Sequence, residues 1–260
     1  MKKEKRSFLS IIMIGLMMIG LLVGCGSGSG NASSATDEVQ QRELASYKHN
    51  SNASDEENDA ANAAVTYVNV FHDSKQAVMN QLSGYDGYSE ASAQYAVDNI
   101  TVDWNEVAVA SAKSYLESSN LSKQGVFDQL TSSYGSQFTP EEAQYAIDHL
   151  DVDWKKEALG AAKSYLSTGS FSEQGLLDQL TSSYADEFTP EEARYALENI
   201  DADWNAEALE AAESYYDTGM TDKTEIFNQI TSQYADKFTP QQAQYAIDHL
   251  DPTKVGCTVR

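Results

Sequence analysis

Cross-linking chemistry is nearly absent from this chain. Its 260 residues hold two cysteines, Cys25 and Cys257, so no disulfide framework is available and any folded part must rest on a packed core. Positive charge is also scarce. Seventeen Lys and Arg stand against 40 Asp and Glu, a formal net charge of −23. So acidic a surface repels nucleic acid and anionic lipid head groups and favours cationic partners. Histidine occurs only at His49, His72, His149 and His249, and no Cys/His cluster, Gly-rich phosphate loop or nucleophile elbow is present. These gaps set the expectation of a non-enzymatic protein with no catalytic residues, no metal, no cofactor and no nucleic-acid partner.

Proline is rare and regular. Three of the four prolines, Pro140, Pro190 and Pro240, recur every 50 residues in QFTPEEAQYAIDHLDVDW, EFTPEEARYALENIDADW and KFTPQQAQYAIDHLDPTK. Trp104, Trp154 and Trp204 keep the same step, as do Tyr134, Tyr184 and Tyr234. A fixed period of this length is the signature of a repeat array. A shorter, diverged unit precedes them, in which Tyr67 answers to Tyr115 and Met79 to Phe127 at an offset of 48. Four repeats are expected, at 59–103, 104–153, 154–203 and 204–251, followed by a tail at 252–260.

Each unit reads as three helices, so the expected fold is all-α, a tandem array of helix-turn-helix-like trios. In the third, Trp154, Ala158, Ala162, Tyr165 and Leu166 form one stripe at three- and four-residue spacing. Ser167-Thr168-Gly169 ends that helix. Ser172 is placed to cap a second helix, with Phe171 and Leu176 at the staple positions and Leu176, Leu177, Leu180 and Tyr184 as its buried face. Thr189-Pro190-Glu191-Glu192 then opens a third. Thr189 caps free amides, Pro190 suits the first turn, and Glu192 at the third helical position completes a capping box. Ala193, Leu197 and Ile200 face inward.

That capping role competes with a catalytic reading of Glu141-Glu142 and Glu191-Glu192. Adjacent helical residues diverge by about 100°, and the last unit has Gln241-Gln242, which still caps but supplies no acid–base pair. His149 and His249 share a repeat position with Asn99 and Asn199, an exchange that suits a polar residue near a helix C-terminus and not a metal ligand. Asp151/Asp153 and Asp201/Asp203 look like the start of a calcium loop, yet the required glycine and glutamate are missing, and N-capping accounts for one Asp of each pair. The trios resemble DNA-binding helix-turn-helix units, but their helices are acidic.

Four units have three joints, and there are three tryptophans. Glu56 stands where the first unit would carry one, and Asp251-Pro252-Thr253-Lys254 follows the fourth. Trp104, Trp154 and Trp204 are therefore expected to pack between successive units and to make a semi-rigid rod. Trp154→Ala is expected to cost roughly 3–5 kcal/mol at its joint.

The N-terminus carries the longest apolar run. A basic MKKEKR precedes FLSIIMIGLMMIGLLVG and Cys25, which reads as a signal peptide over 1–24. Leu22-Val23-Gly24-Cys25 is similar to a bacterial lipobox, whose cysteine takes a diacylglycerol. Cleavage there removes four basic residues and one acid, taking the charge from −23 to −26. Residues 25–58 are polar and read as the lipidated cysteine plus a flexible tether. About thirty such residues have a typical span near 30 Å and a stretched reach of roughly 100 Å. Cys257 reads as a bystander thiol.

The lipobox, the polar tether and tandem units of the form AAKSYLSTGSFSEQGLLDQLTSSYADEFTPEEARYALENIDADWN together resemble the Ltp family of host cell surface-exposed lipoproteins of temperate phages and Gram-positive bacteria. The resemblance covers about 190 of the 260 residues and the anchor. It implies a string of three-helix units and a role in superinfection exclusion. In that role a lipid-anchored protein on the outer face of the cell membrane blocks DNA entry by binding an incoming phage's tape measure protein through an acidic surface. Four units make a longer array than the phage members, and Ser89-Glu90-Ala91-Ser92 replaces the Thr-Pro cap in the first. A basic or amphipathic protein partner would meet Glu141, Glu142, Asp148, Asp153, Glu191, Glu192, Glu198 and Asp203. The alternative is an envelope structural or adhesion module whose tyrosines stack on cell-wall sugars, although their helical spacing assigns most of them to the core.

Overall fold

The computed structural model describes residues 43–251. The signal peptide, Cys25, the tether as far as residue 42 and the tail with Cys257 lie outside the described residues.

Twelve α-helices, in four trios, make up most of what is described. The first trio is α1 Asp55–Thr66, α2 Lys75–Asn80 and α3 Glu90–Asn99. The second is α4 Trp104–Ser118, α5 Lys123–Thr131 and α6 Pro140–His149. The third is α7 Trp154–Thr168, α8 Glu173–Thr181 and α9 Pro190–Asn199. The fourth is α10 Trp204–Asp217, α11 Lys223–Thr231 and α12 Pro240–His249. Within each trio the first and third helices make the broadest contact. In the first unit, π-helical turns at Tyr67–Phe71 and Gln81–Tyr85 extend α1 and α2.

Small residues let the helices approach. In the third unit Ala158, Ala162, Ala193 and Ala196 are fully buried between α7 and α9, and Leu176 and Leu180 of α8 close over them. Each buried leucine contributes on the order of 2 kcal/mol. Phe188 completes the core from the turn before α9, and Phe138 and Phe238 do the same in their units. The residue before each of these, Gln137, Glu187 or Lys237, adopts left-handed φ of 58°, 55° or 62°, which turns the chain sharply back so that the phenyl ring points inward.

The caps form as the sequence dictates. Thr139, Thr189 and Thr239 each accept from the N3 amide, while Glu142, Glu192 and Gln242 reach back to the cap amide at 2.9, 2.8 and 2.9 Å. The first unit has Ser92 at N3. There Glu56 of α1 supplies the missing acceptor, taking the Ser89 N–H at 2.7 Å.

Two expectations are corrected. Residues 43–58 do not continue a flexible tether, because α1 begins at Asp55 and the segment before it is docked on the first unit. Strand β1, Ala45–Ser46, pairs antiparallel with β2, Thr101–Val102, setting Ala45 opposite Val102. Asn69 clamps it, its Oδ1 accepting the Leu44 and Ala45 N–H groups at 2.8 Å and its Nδ2 donating to the Ala45 carbonyl. Buried Asn58 accepts the Tyr47 hydroxyl and the Asn50 amide, both at 2.9 Å. The polar composition of this segment hid asparagines that satisfy its backbone. The second correction is Tyr184. Helix α8 ends at Thr181, and Tyr184 sits in the following turn, 100% exposed.

Candidate binding surface

The eight expected contact carboxylates divide by what already holds them. Glu142 and Glu192 are turned back into their capping boxes. Asp153 and Asp203 cap α7 and α10, and Asp153 also meets Lys156 at 3.2 Å, which holds its carboxyl below the usual range. Glu191 pairs with Lys155 at 2.8 Å and is likewise held low. Glu141, Asp148 and Glu198 stand exposed, with Asp148 accepting the Gln144 amide at 2.9 Å. The adjacent glutamates do not converge on a site. Lys155 and Lys156 are engaged by two of these acids, and Lys75 and Lys237 pair elsewhere with Asp98 and Asp178.

The shared His/Asn position is a C-terminal polar anchor. His149 and His249 donate Nδ1–H to the carbonyls of Tyr145 and Tyr245 at 2.8 Å, and Asn99 and Asn199 donate Nδ2–H to those of Tyr95 and Tyr195 at the same distance. His149 also stacks on Tyr145 with centroids 3.8 Å apart. Among the described residues no group of three or more His, Cys, Asp or Glu is placed to hold a metal ion.

Each tryptophan opens the first helix of its unit and is half-buried. Trp154 packs on the core of the first two units, and Trp204 on that of the third, so in both cases the indole rests on the preceding unit. Lys123 Nζ lies 5.8 Å from the Trp154 ring centroid. Trp104 packs within the core that the first two units share.

Sequence reasoning missed a second set of joint residues. Among the described residues, no helix of one unit lies broadly against a helix of the next. Instead, the buried hydroxyls of Ser122 and Ser172, N-caps of α5 and α8, donate across the joint to the backbone carbonyls of Asp186 and Asp236. Gly160 of α7 lies flat against the Asn120 amide, where a Cβ would collide with it. His72 and Ser114 meet at 3.1 Å between the first two units, and the Phe171 N–H reaches Glu207 at 3.3 Å between the last two. A cleft of about 350 Å³ at that last joint is lined by Phe171, Asp178, Asp236 and Lys237, with Lys237 paired to Asp178 across it.

At the last two joints the Asp side chains are poorly solvated. Asp186 accepts the Tyr165 hydroxyl at 2.9 Å and Asp236 that of Tyr215 at 3.3 Å, but in each the second carboxylate oxygen is buried without a hydrogen-bond partner. Burial pushes both carboxyls up, and Tyr165 is pushed up to about 12.

Exposed tyrosines were the other missed feature. Tyr134, Tyr184 and Tyr234 are each 100% exposed and Tyr85 is 84% exposed, one ring per unit.

The family described as host cell surface-exposed lipoprotein matches the chain four times, at residues 55–100, 103–150, 153–200 and 203–250. Among solved structures, the chain is similar to Ltp, a superinfection exclusion protein from the Streptococcus thermophilus temperate phage TP-J34. The two are 35% identical over 38% of this chain and 99% of that one, with a TM-score of 0.36. No curated protein matches the chain.

Proposed function

This chain belongs to the family of host cell surface-exposed lipoproteins, and from that premise we propose that it is a non-enzymatic capture module for superinfection exclusion. Lipid on Cys25 holds it to the outer face of the membrane of a Gram-positive cell. Its acidic repeats bind a basic or amphipathic segment of an incoming phage protein, of the tape measure type, and so block DNA entry. The tryptophans couple successive units so that several acidic surfaces are offered together.

The observation that carries this reading is charge. The net charge is −23, four lysines of the array are already tied to carboxylates, and Glu141, Asp148 and Glu198 project outward. Such a field steers cationic partners in and weakens steeply with salt. A second reading, a wall-adhesion module, is favoured by one observation, the exposed tyrosines.

A plating assay separates the two. Cells expressing the chain, or its Cys25→Ala form, are challenged with a panel of phages. Exclusion gives normal adsorption, fewer plaques for at least one phage, and loss of protection with Cys25→Ala. Unchanged plaque counts for every phage, alongside saturable wall binding, would establish the adhesion reading instead.

A further inference from the structure

In each of the last three units the turn between the second and third helices carries a tyrosine ring that adds nothing to the fold; in the first, Tyr85 ends the π-helical turn at Gln81–Tyr85 and is 84% exposed. In the last three units a serine at the start of the turn, Ser132, Ser182 or Ser232, accepts twice. Its hydroxyl takes the tyrosine N–H at 3.2, 3.1 and 3.2 Å, and its carbonyl takes the next residue's N–H at 3.0 Å in all three. The amides of Phe138, Phe188 and Phe238 then bond back to Leu130, Leu180 and Ile230, and each phenyl ring is buried. The backbone beneath each tyrosine is therefore pinned from both sides, yet the side chain is wholly in solvent.

The positions just after the tyrosine differ between the second unit and the last two. The three residues after the tyrosine read Gly-Ser-Gln, Ala-Asp-Glu and Ala-Asp-Lys. The tyrosine stays with the serine and phenylalanine that hold the turn, although burial does not require it and a polar residue would solvate the turn better. A large ring held in water on a pinned turn is a contact residue without its contact.

The surroundings select the contact. An exposed π face on a chain of net charge −23 suits a Lys or Arg side chain, which gains from the ring and from the overall field at once. A polyanion is repelled by the same field, and a neutral sugar gains only the stacking. Four rings, one per unit, offer multivalency: a polypeptide long enough to reach successive units binds more tightly than any one ring allows.

We propose that Tyr85, Tyr134, Tyr184 and Tyr234 are the aromatic contacts of the capture surface, and that they take an extended polypeptide segment bearing several Lys or Arg side chains. This deepens the capture reading above and rests on it.

The test uses the lipidated chain in neutral phosphatidylcholine vesicles and a fluorescent 20-residue peptide alternating Lys with Ala. Replacing all four tyrosines by Ser should weaken binding about tenfold, given modest contributions from exposed cation–π contacts, while replacing all four by Phe should keep affinity within about twofold. Thermal unfolding should be the same for all three proteins. Binding by the Ser variant within about twofold of wild type overturns the proposal. So does a fall in its melting temperature, which would make the rings structural, or loss of peptidoglycan binding in place of peptide binding, which would give them to the wall. In the phage challenge the two readings fail separately. A Ser variant that excludes phage as well as wild type sinks the tyrosine surface alone, whereas a wild-type chain that excludes none sinks the capture function itself.

Discussion

The Ser172 hydroxyl hydrogen-bonds the backbone carbonyl of Asp236, tying the start of α8 in the third unit to the turn before α12 in the fourth. The same oxygen accepts the Gly175 N–H at 2.9 Å, so one buried hydroxyl caps its own helix and holds the next unit. Ser122 repeats this with Gly125 and Asp186. In the fourth unit the position is Asp222, exposed and capping its own helix. A Cβ at Gly175 would sit 3.1 Å from the Ser172 hydroxyl oxygen, tighter than ordinary contact, so the glycine keeps that oxygen clear for its two bonds; Glu225 fills that place in the last unit.

Ser172→Ala should therefore destabilise more than Asp222→Ala. The first removes a cap and strands a carbonyl at the joint, together about 2–4 kcal/mol; the second removes a cap alone, about 1 kcal/mol. Urea unfolding of the two variants measures the difference, and equal losses would mean that the cross-joint bond contributes nothing.

Gly160 and Asn120 make a paired prediction. Gly160→Val forces its branched side chain into the Asn120 amide and should cost about 1–3 kcal/mol by overpacking. Asn120→Gly in the same chain should recover most of that loss. A double-mutant cycle by chemical denaturation reads the coupling.

Because Trp154 and Trp204 are half-buried, a truncation at either joint should fall below the roughly 3–5 kcal/mol expected for a fully enclosed indole. Trp154→Ala should cost about 1–3 kcal/mol and open the chain to protease between the second and third units. Trp154→Phe, which keeps a ring on the neighbouring core, should resist cleavage. Limited proteolysis followed by mass spectrometry locates the cut.

The pH dependence has a defined sign. Burial raises Asp73 from 3.8 to about 6 and also raises Asp186 and Asp236. Between about pH 4 and 6 the native state then binds more protons at Asp73 than the unfolded chain does, so its contribution falls as pH rises through that window, and Asp186 and Asp236 act in the same sense. Asp178, held low by Lys237, acts in the opposite sense, losing its contribution as pH falls. Asp73→Asn should raise the melting temperature at pH 7.5 and have little effect at pH 4. A gain at pH 4 equal to that at pH 7.5 would place the effect in packing and not in charge.

Much of the fold was legible because local chemistry set it. Thr-Pro-Glu-Glu forms a capping box wherever it occurs, and the His/Asn exchange reported a shared hydrogen bond to the carbonyl four residues back. What escaped notice depends on distant partners. A serine that caps its own helix looks the same in sequence whether or not a carbonyl 64 residues away also meets it. Tyr184 follows the apolar stripe of α8 at helical spacing, but the helix stops three residues earlier, so periodicity placed the ring inside when the turn carries it outside. The docking of residues 43–54 escaped because asparagine composition suggests disorder, while Asn50, Asn58 and Asn69 here form a hydrogen-bonded clasp.

The most direct test of the capture function follows the phage genome itself. Virions with labelled DNA are added to cells carrying the wild-type chain, the quadruple Tyr→Ser variant or no protein, and DNA inside the cell is measured after adsorption is complete. The account predicts normal adsorption with DNA held outside wild-type cells, and entry restored by the variant. DNA that enters wild-type cells as fast as cells without the protein would contradict it.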